Sequence, residues 1–185
     1  MRTDYWNYDN KHWCLETYKK SKSYIKNFRT AIDVGCREGD FSLPLVEDFD
    51  KVHAFDYRPR MKITSKKLTY YQVALGDIST EVKATGGVIK EDGNKFVQQK
   101  RLDDYTLNDV DYIKIDVEGH ELKVLKGAIA TIERCNPVIV IEENGSQELY
   151  NKGKKDDALN YLQSIGYKEQ YRFSKPNPLD IILVR

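Results

Sequence analysis

Residues 30–41 read TAIDVGCREGDF and form an informative local pattern. An apolar strand candidate runs into a turn that contains Gly35 and Gly39, and a helix candidate follows. Gly35 permits a tight turn and allows a ligand to approach the backbone, because glycine has no Cβ. The unpaired N–H groups of a helix that begins near Gly39 face whatever occupies the turn. The pattern predicts a strand, a binding loop and a helix in an α/β protein.

The glycine spacing separates two kinds of nucleotide ligand. A dinucleotide loop of the form GxGxxG requires glycine at positions 37 and 40, where this chain has Arg37 and Asp40. The pattern D-x-G-x-x-x-G, which starts at Asp33, suits a nucleoside ligand without a pyrophosphate. Taken alone, the turn is equally compatible with an ordinary strand-to-helix connection.

Short apolar runs alternate with longer amphipathic runs along most of the chain, which predicts βαβ units and a mostly parallel sheet. The predicted strands are Thr30–Val34, Val52–Asp56, Tyr70–Leu75, Asp111–Val117 and Val138–Glu142. A terminal antiparallel hairpin is predicted for Tyr167–Phe173 and Asp180–Val184, because the short link between them carries two prolines. The irregular stretch Ser79–Lys100 is interpreted as a hairpin inserted before the fourth strand, where it can shape a substrate entrance.

Three further segments are predicted to be helical. Residues 9–28 form an amphipathic helix capped by Asp9 or Asn10, Glu118–Arg134 form a second, and Asp156–Ser164 form a third that ends at Gly166. Residues 1–29 are expected to be a helical segment that packs on the core. Residues 30–185 are expected to form one ligand-binding domain.

Acidic residues follow the second and third predicted strands. Asp56 lies 21 positions after Gly35 (56 − 35), the spacing at which an acid accepts both ribose hydroxyls in nucleotide-binding sheets. The alternative is a surface carboxylate in a turn before Arg58. Asp77, next to Gly76, is a candidate partner for an adenine amino group, and Leu75 is placed to pack on the ring. Asp and Gly are also common turn residues.

The fourth strand ends in the densest group of ionisable residues, IDVEGHE at 115–121. For transfer of a group to a hydroxyl, an enzyme supplies alignment, a dry site and a base. His120 is the candidate base, since its ordinary pKa lies near neutrality, and Asp116 or Glu118 is placed to orient it or the acceptor. The alternative for His120 is a half-exposed residue at a helix start, with Glu118 and Glu121 complementing the helix dipole.

Composition limits the other classes of function. Lys+Arg number 30 and Asp+Glu number 29 among 185 residues, so the basic excess of a nucleic-acid binder is absent. No apolar run approaches the roughly 18 residues of a membrane span. Three widely spaced cysteines indicate free thiols and a cytoplasmic location. No ligand spacing demands a metal ion, and none is expected.

Several of these motifs together resemble the FkbM family of methyltransferases that use S-adenosylmethionine (SAM). The resemblance runs from about Thr30 to Asn144. It is carried by AIDVG (31–35), AFD (54–56), VALGD (73–77), RLDDY (101–105), VDYIKIDVEGHE (110–121), VLKGA (124–128) and PVIVIE (137–142). The block at 110–121 is the most specific of these segments.

The resemblance implies a single-domain class I methyltransferase (Rossmann-like) fold with a seven-stranded sheet, and SAM as the cofactor. By position, Asp33, Gly35 and Gly39 line the SAM turn, Asp56 faces the ribose and Asp77 the adenine. Asp116 faces the methyl group and the acceptor. The other expected cofactor contacts are Cys36, Arg37, Tyr57, Leu75 and Gly76. Many members have a small residue and Asn at positions 36 and 37, and alanine or another residue at position 120.

The expected activity is O-methylation of a hydroxyl on a small molecule or sugar, with Asp116, His120 and Glu118 as catalytic residues. Two other functions stay open. One is a nicotinamide-dependent oxidoreductase, which Arg37 and Asp40 disfavour. The other is a non-catalytic SAM-fold binding protein, for which the Asp116–Glu121 cluster would have little use. The partner is expected to be a small molecule rather than nucleic acid or a membrane. The sequence leaves the oligomeric state open, with a homodimer as one candidate.

Overall fold

The computed structural model describes residues 12–150, 153–174 and 179–185, which form two sheets with helices packed on them. The strands are β1 (Thr30–Val34), β2 (Lys51–Phe55), β3 (Leu68–Tyr71), β4 (Ala74–Leu75), β5 (Thr80–Thr85), β6 (Val88–Ile89), β7 (Lys95–Lys100), β8 (Val110–Ile115), β9 (Val138–Glu142), β10 (Lys168–Arg172) and β11 (Asp180–Val184). The helices are α1 (His12–Lys22), α2 (Ser42–Asp48), α3 (Glu121–Lys126), α4 (Ile129–Cys135), α5 (Ser146–Tyr150) and α6 (Asp157–Ser164). None of the helices in these ranges is long and apolar enough to cross a membrane.

The main sheet has seven strands in the order β10-β11-β9-β8-β1-β2-β3. The five strands from β9 to β3 are parallel, and the hairpin β10–β11 joins them antiparallel. Apolar clusters cover both faces, with α1 and α2 on one side and α3, α4 and α6 on the other. Central strands buried on both faces need continuous apolar runs, which is the pattern the sequence shows. The predicted fold class is confirmed.

Two predicted elements are divided in the structure, and the strand predicted for Asp111–Val117 ends at Ile115. The run Tyr70–Leu75 is not one strand, because Val73 N–H bonds to the Tyr71 carbonyl and turns the chain out of the main sheet. The helix predicted for Glu118–Arg134 is divided into α3 and α4 and begins later than expected, since Glu118 has a φ of +54°. It divides at Gly127, where a Cβ would lie 1.9 Å from the carbonyl oxygen of Gly76.

The N-terminal helix is shorter than predicted and packs against the sheet. α1 ends at Lys22, where N–H bonds from Tyr24 and Ile25 close a turn, and the proposed caps Asp9 and Asn10 lie outside the described residues. The Tyr18 ring meets Tyr112 of β8 edge-on at a centroid distance of 5.9 Å. Division of the chain into segments 1–29 and 30–185 remains a prediction.

A second, four-stranded sheet lies between β3 and β8 in the chain, with the order β4-β7-β5-β6. Its β5 and β7 form the antiparallel hairpin expected in the Ser79–Lys100 stretch. Gln99 of β7 connects this sheet to the main one: its side-chain oxygen lies 2.9 Å from Nε2 of His120, and its amide nitrogen donates to the Ile78 carbonyl. His120 is 2% exposed, and burial lowers its pKa to about 4. The ring is therefore neutral at pH 7.

A buried ion pair connects α1, β8 and β11. Lys114 Nζ lies 2.7 Å from one carboxylate oxygen of Asp180, and the Thr17 hydroxyl donates to the other at 2.7 Å. All three side chains are buried. Asp180 thus provides the countercharge for a lysine that lies beneath the carboxyl edge of the sheet.

Replacement of Asp180 by Asn is expected to lower the free energy of unfolding by about 3–5 kcal/mol, because it leaves Lys114 buried without its countercharge. Thr17→Val removes one hydrogen bond to the same carboxylate and should cost about 1–2 kcal/mol. Urea denaturation at pH 7 measures both. An Asp180→Asn variant no less stable than Thr17→Val would contradict the role given to the charge.

The low pKa of His120 predicts a pH dependence of stability. The pKa of the ring is 6.5 in the unfolded chain and about 4 in the folded protein. The contribution of His120 to the free energy of unfolding is therefore complete above pH 6.5 and is lost as the pH falls to about 4. The loss amounts to about 3 kcal/mol. His120→Gln keeps a donor for Gln99 and should not show this loss. Denaturation of both proteins between pH 7 and pH 4 measures how the free energy of unfolding changes with pH. Equal slopes in the two proteins would contradict this contribution of His120.

Candidate functional site

A cavity of about 440 Å³ lies at the carboxyl ends of the parallel strands. The loops after β1, β2, β8 and β9 form its floor, and the turn that joins β5 to β6 forms part of its wall. Open α/β sheets bind ligands at this edge. The predicted site residues that line the cavity are Gly35, Arg37, Asp56, Tyr57, Leu75, Asp116 and Glu118. The predicted residues that do not line it are Asp33, Cys36, Gly39, Gly76, Asp77 and His120.

The glycine loop is fixed by strand ends on both sides. The N–H of Gly35 donates to the Phe55 carbonyl of β2 at 2.8 Å, and its φ is +85°. A Cβ at this position would lie 1.8 Å from the carbonyl oxygen of Asp116, so only glycine lets β1 end here. Gly39, with a φ of +97°, is buried instead against Met61 and Ile63. Of the two glycines, Gly35 is the one at the cavity.

Asp33 lies behind the loop rather than in the cavity. Its carboxylate accepts a hydrogen bond of 2.5 Å from the Ser42 hydroxyl at the start of α2. Burial raises the pKa of Asp33 to about 7. Together with Cys36 and Lys114 it lines a smaller cavity of about 30 Å³ under the glycine loop. Burial also raises the pKa of the Cys36 thiol, which is therefore neutral.

Asp56 lines the cavity but is held by four N–H donors. They are the backbone N–H groups of Arg37 and Arg58 and the Nε and Nη2 groups of the Arg58 guanidinium, at 2.8 to 3.1 Å. The Asp56 side chain is 2% exposed. Arg58 in turn touches the turn of the second sheet, since a Cβ on Gly87 would lie 2.5 Å from its Nη1. Arg58 thus joins Asp56 to the cavity wall.

The third predicted acid is placed differently. Leu75 lines the cavity, whereas Gly76 is covered by the Gln99 side chain and approached by Gly127. Asp77 does not line the cavity and contributes to the electrostatic environment of His120. Neither Gly76 nor Asp77 is brought together with Asp56.

The acidic block after β8 is arranged by a sharp loop. Glu118 and Gly119 have φ values of +54° and +94°, which reverse the chain before α3. The Glu121 carboxylate accepts the backbone N–H groups of Val117 and Gly119, both at 3.1 Å, and so holds the loop in place. Burial raises the pKa of Glu121 to about 7. The loop directs Asp116 and Glu118 to the cavity.

Glu142, at the end of β9, completes an acidic wall. Its carboxylate, that of Asp116 and that of Glu118 have oxygens within 4.8 Å of one another. The Asn144 amide donates to Glu142 at 2.9 Å, and the Ser146 hydroxyl donates to Glu118 at 3.2 Å. The expectation of no metal ion stays a prediction.

Three contributions to this site were missed by the sequence reasoning. Glu142 ends a correctly predicted strand, so the strand-end argument used for Asp56 applies to it equally. Asn144 follows it on the same loop. The guanidinium of Arg58 has no sequence signal, because its contact with Asp56 depends on the turn between them.

Known structures share the fold. A crystal structure of Methyltransferase FkbM from Methylobacillus flagellatus KT is 23% identical with a TM-score of 0.62, and the match covers 84% of this chain and 42% of that one. This chain therefore spans less than half of that protein. N-methyltransferase NodS from Bradyrhizobium japonicum WM9 is 12% identical with a TM-score of 0.57, covering 95% and 96% of the two chains. Magnesium protoporphyrin IX methyltransferase (ChlM) from Synechocystis PCC 6803, solved with bound SAM, is 12% identical with a TM-score of 0.56, covering 95% and 79%.

No protein with a curated description is significantly similar to the chain in sequence. The sequence profile of the Methyltransferase FkbM domain matches residues 27–169, which is most of the chain and encloses the resemblance noted at Thr30–Asn144. With the class I methyltransferase fold and a cavity at the expected edge of the sheet, the chain belongs to the FkbM family of methyltransferases.

Proposed function

We propose that this protein transfers a methyl group from SAM to a hydroxyl of a small molecule or sugar in the 440 Å³ cavity. One observation carries the proposal. The glycine loop, Asp56 and the acidic wall of Asp116, Glu118 and Glu142 open into the same space. An enzyme of this kind must hold donor and acceptor in line within one site. A non-catalytic relative that only bound the cofactor would not need the acidic wall.

The cofactor expected from the sequence is supported by the family and by the SAM complex of a protein with this fold. The residues present fit it. Gly35 leaves the floor of the loop without a side chain, Asp56 ends β2 and Leu75 adds an apolar surface. SAM supplies a methyl group activated by its sulfonium. We assign Gly35 and Arg37 to the methionine side, Asp56 to the ribose and Leu75 to the adenine.

The acceptor is assigned to the opposite side, where Asp116, Glu118, Glu142 and Asn144 lie. Carboxylate oxygens accept hydrogen bonds from hydroxyl groups, and the Asn144 amide offers both a donor and an acceptor. These groups suit a polyhydroxylated acceptor. Family membership favours this function over a nicotinamide-dependent oxidoreductase.

Ligand binding tests the proposal directly. SAM and its demethylated product should each stabilise the protein, by about 2.7 kcal/mol at a hundredfold excess over the dissociation constant, and NAD should not. Thermal shift and isothermal titration calorimetry measure both effects. Stabilisation by NAD alone, or by none of the three, would reject the methyltransferase assignment.

The ion pair of Asp56 with Arg58 predicts opposite effects of two conservative substitutions. Asp56→Asn should weaken SAM binding tenfold or more, because the amide no longer accepts two hydroxyls. Arg58→Gln should leave SAM binding unimpaired or tighten it, since a ribose would no longer compete with the guanidinium for Asp56. Calorimetric titration of both variants decides the matter. Equal weakening in the two would show that the pair is only structural.

A methyl-transfer screen addresses the acceptor. Incubation with labelled SAM and a panel of sugars, polyols and amines is expected to give labelled O-methyl products. Label only in N-methyl products would keep the methyltransferase assignment and overturn the hydroxyl specificity.

A further inference from the structure

The carboxylate of Asp56 is fully occupied in the structure, in large part by Arg58. Its two oxygens accept two backbone N–H groups and two N–H groups of the Arg58 guanidinium, at 2.8 to 3.1 Å. A carboxylate has about four lone-pair sites, so these donors leave none for the ribose assigned to Asp56. The backbone donors belong to the loops after β1 and β2, whereas the guanidinium is the end of a side chain. In the proposed complex the ribose therefore takes the place of the guanidinium.

The displaced guanidinium remains at the wall of the cavity. Arg58 lines the cavity, and the Tyr70 hydroxyl fixes its backbone by donating to its carbonyl at 2.6 Å. Its Nη1 group lies against the turn between β5 and β6, where a Cβ on Gly87 would be 2.5 Å away. The Arg58 side chain is only 19% exposed, so water solvates its charge poorly. Once Asp56 is lost as a partner, the guanidinium needs another anion at the same wall.

Two more arginines line the same cavity. Arg37 and Arg60 are exposed, and no acid in the described parts of the chain forms an ion pair with either of them. The two loops that carry them are joined, since the N–H of Lys62 donates to the Glu38 carbonyl at 3.1 Å. The side chains of Lys62 and Glu38 form an ion pair at 2.6 Å, so Glu38 already has its countercharge.

Bound SAM leaves two of these three guanidinium groups without an anion. The carboxylate of its methionine part provides the countercharge for Arg37, which is assigned to that side. The ribose hydroxyls are neutral, so they replace the charge of Arg58 at Asp56 without supplying an anion to Arg58 in return. Arg60 has no acidic partner among the described residues. The acidic wall belongs to the ends of β8 and β9, which β1 separates from β2.

We propose, on the basis of the function proposed above, that Arg58 and Arg60 form a subsite for a phosphate group of the acceptor, and that SAM binding makes this subsite available. The substrate class is thereby narrowed to a phosphorylated small molecule such as a sugar phosphate. Two guanidinium groups match the double negative charge of a phosphate monoester, and each donates parallel N–H bonds to phosphate oxygens. A neutral sugar leaves both cations unpaired. The acidic wall repels phosphate, so the hydroxyl end of the acceptor faces that wall.

Calorimetric titration with inorganic phosphate tests the subsite without an acceptor. S-adenosylhomocysteine, the demethylated product of SAM, is added first, and its own binding tests the cofactor site separately. Phosphate should bind this complex about tenfold more tightly than it binds the free protein, because the ribose has released Arg58 from Asp56. Acetate carries a single charge and should bind the complex more weakly than phosphate does.

Two substitutions locate the subsite. Arg58→Gln and Arg60→Gln should each weaken phosphate binding to the complex about tenfold and leave S-adenosylhomocysteine bound. Arg172→Gln is the matched control, since Arg172 is exposed on β10, pairs with Glu169 and does not line the cavity. This variant should bind phosphate as the wild-type protein does.

The subsite would be overturned by phosphate that binds equally with and without S-adenosylhomocysteine, or no better than acetate. Unchanged phosphate affinity in Arg58→Gln and Arg60→Gln would overturn it as well, as would the absence of any phosphate binding. In each of these cases bound S-adenosylhomocysteine would still uphold the cofactor site. Failure of S-adenosylhomocysteine itself to bind would instead reject the proposed function.

Methyl transfer provides a second readout when sugar phosphates are added to the panel of acceptors. A sugar phosphate should have a lower KM than the same sugar without phosphate. Arg60→Gln should raise the KM for the phosphorylated acceptor and change kcat little, since Arg60 is assigned to the phosphate and not to the reacting hydroxyl. Equal KM values for the two acceptors, or methylation of neutral sugars alone, would contradict the phosphate subsite.

Discussion

The site depends on how closely β1 approaches β8 where the two strands end. Gly35 and the carbonyl of Asp116 are so near that any side chain at position 35 would collide with it. The same contact joins the loop assigned to the cofactor with the first acid of the wall assigned to the acceptor. Position 35 therefore requires glycine for two reasons: its φ is positive, and the neighbouring strand leaves no room for a Cβ. A ligand approach, which the sequence suggested as the reason, is a third consequence of the same missing Cβ.

Charge is the second constraint on this edge of the sheet. Lys114 is buried among Asp33, Asp116, Glu142 and Asp180, and it neutralises only one of these acids outright. The others keep the charge low because burial raises the pKa values of Asp33, Asp116 and Glu142. A cluster of this kind is stable only if it holds protons near neutral pH.

The sequence predicts those parts of the fold that depend on apolar runs and spacing. β1, β9 and β11 match their predicted bounds, and the hairpin between β5 and β7 lies where it was expected. The errors arise where a tertiary contact overrides a local pattern. The helix after β8 divides because Gly127 packs on the Gly76 backbone, and the third strand divides because its chain passes to a second sheet. The local sequence pattern of these segments does not predict either contact.

For the site, strand-end logic brings Gly35, Asp56, Leu75 and Asp116 to one cavity, because parallel strands deliver their ends to one edge. The same logic fails for His120, whose side chain is turned into the protein by the reversal at Glu118 and Gly119. A residue two positions beyond Glu118 leaves that loop in the opposite direction, and sequence distance alone does not reveal this. Carboxylate oxygens of Glu142 and Asp116 lie within 4.8 Å of each other, though the two residues are far apart in the chain, because β8 and β9 are neighbours. Strand order, which the sequence does not contain explicitly, is thus what separates a buried histidine from an acid that lines the cavity.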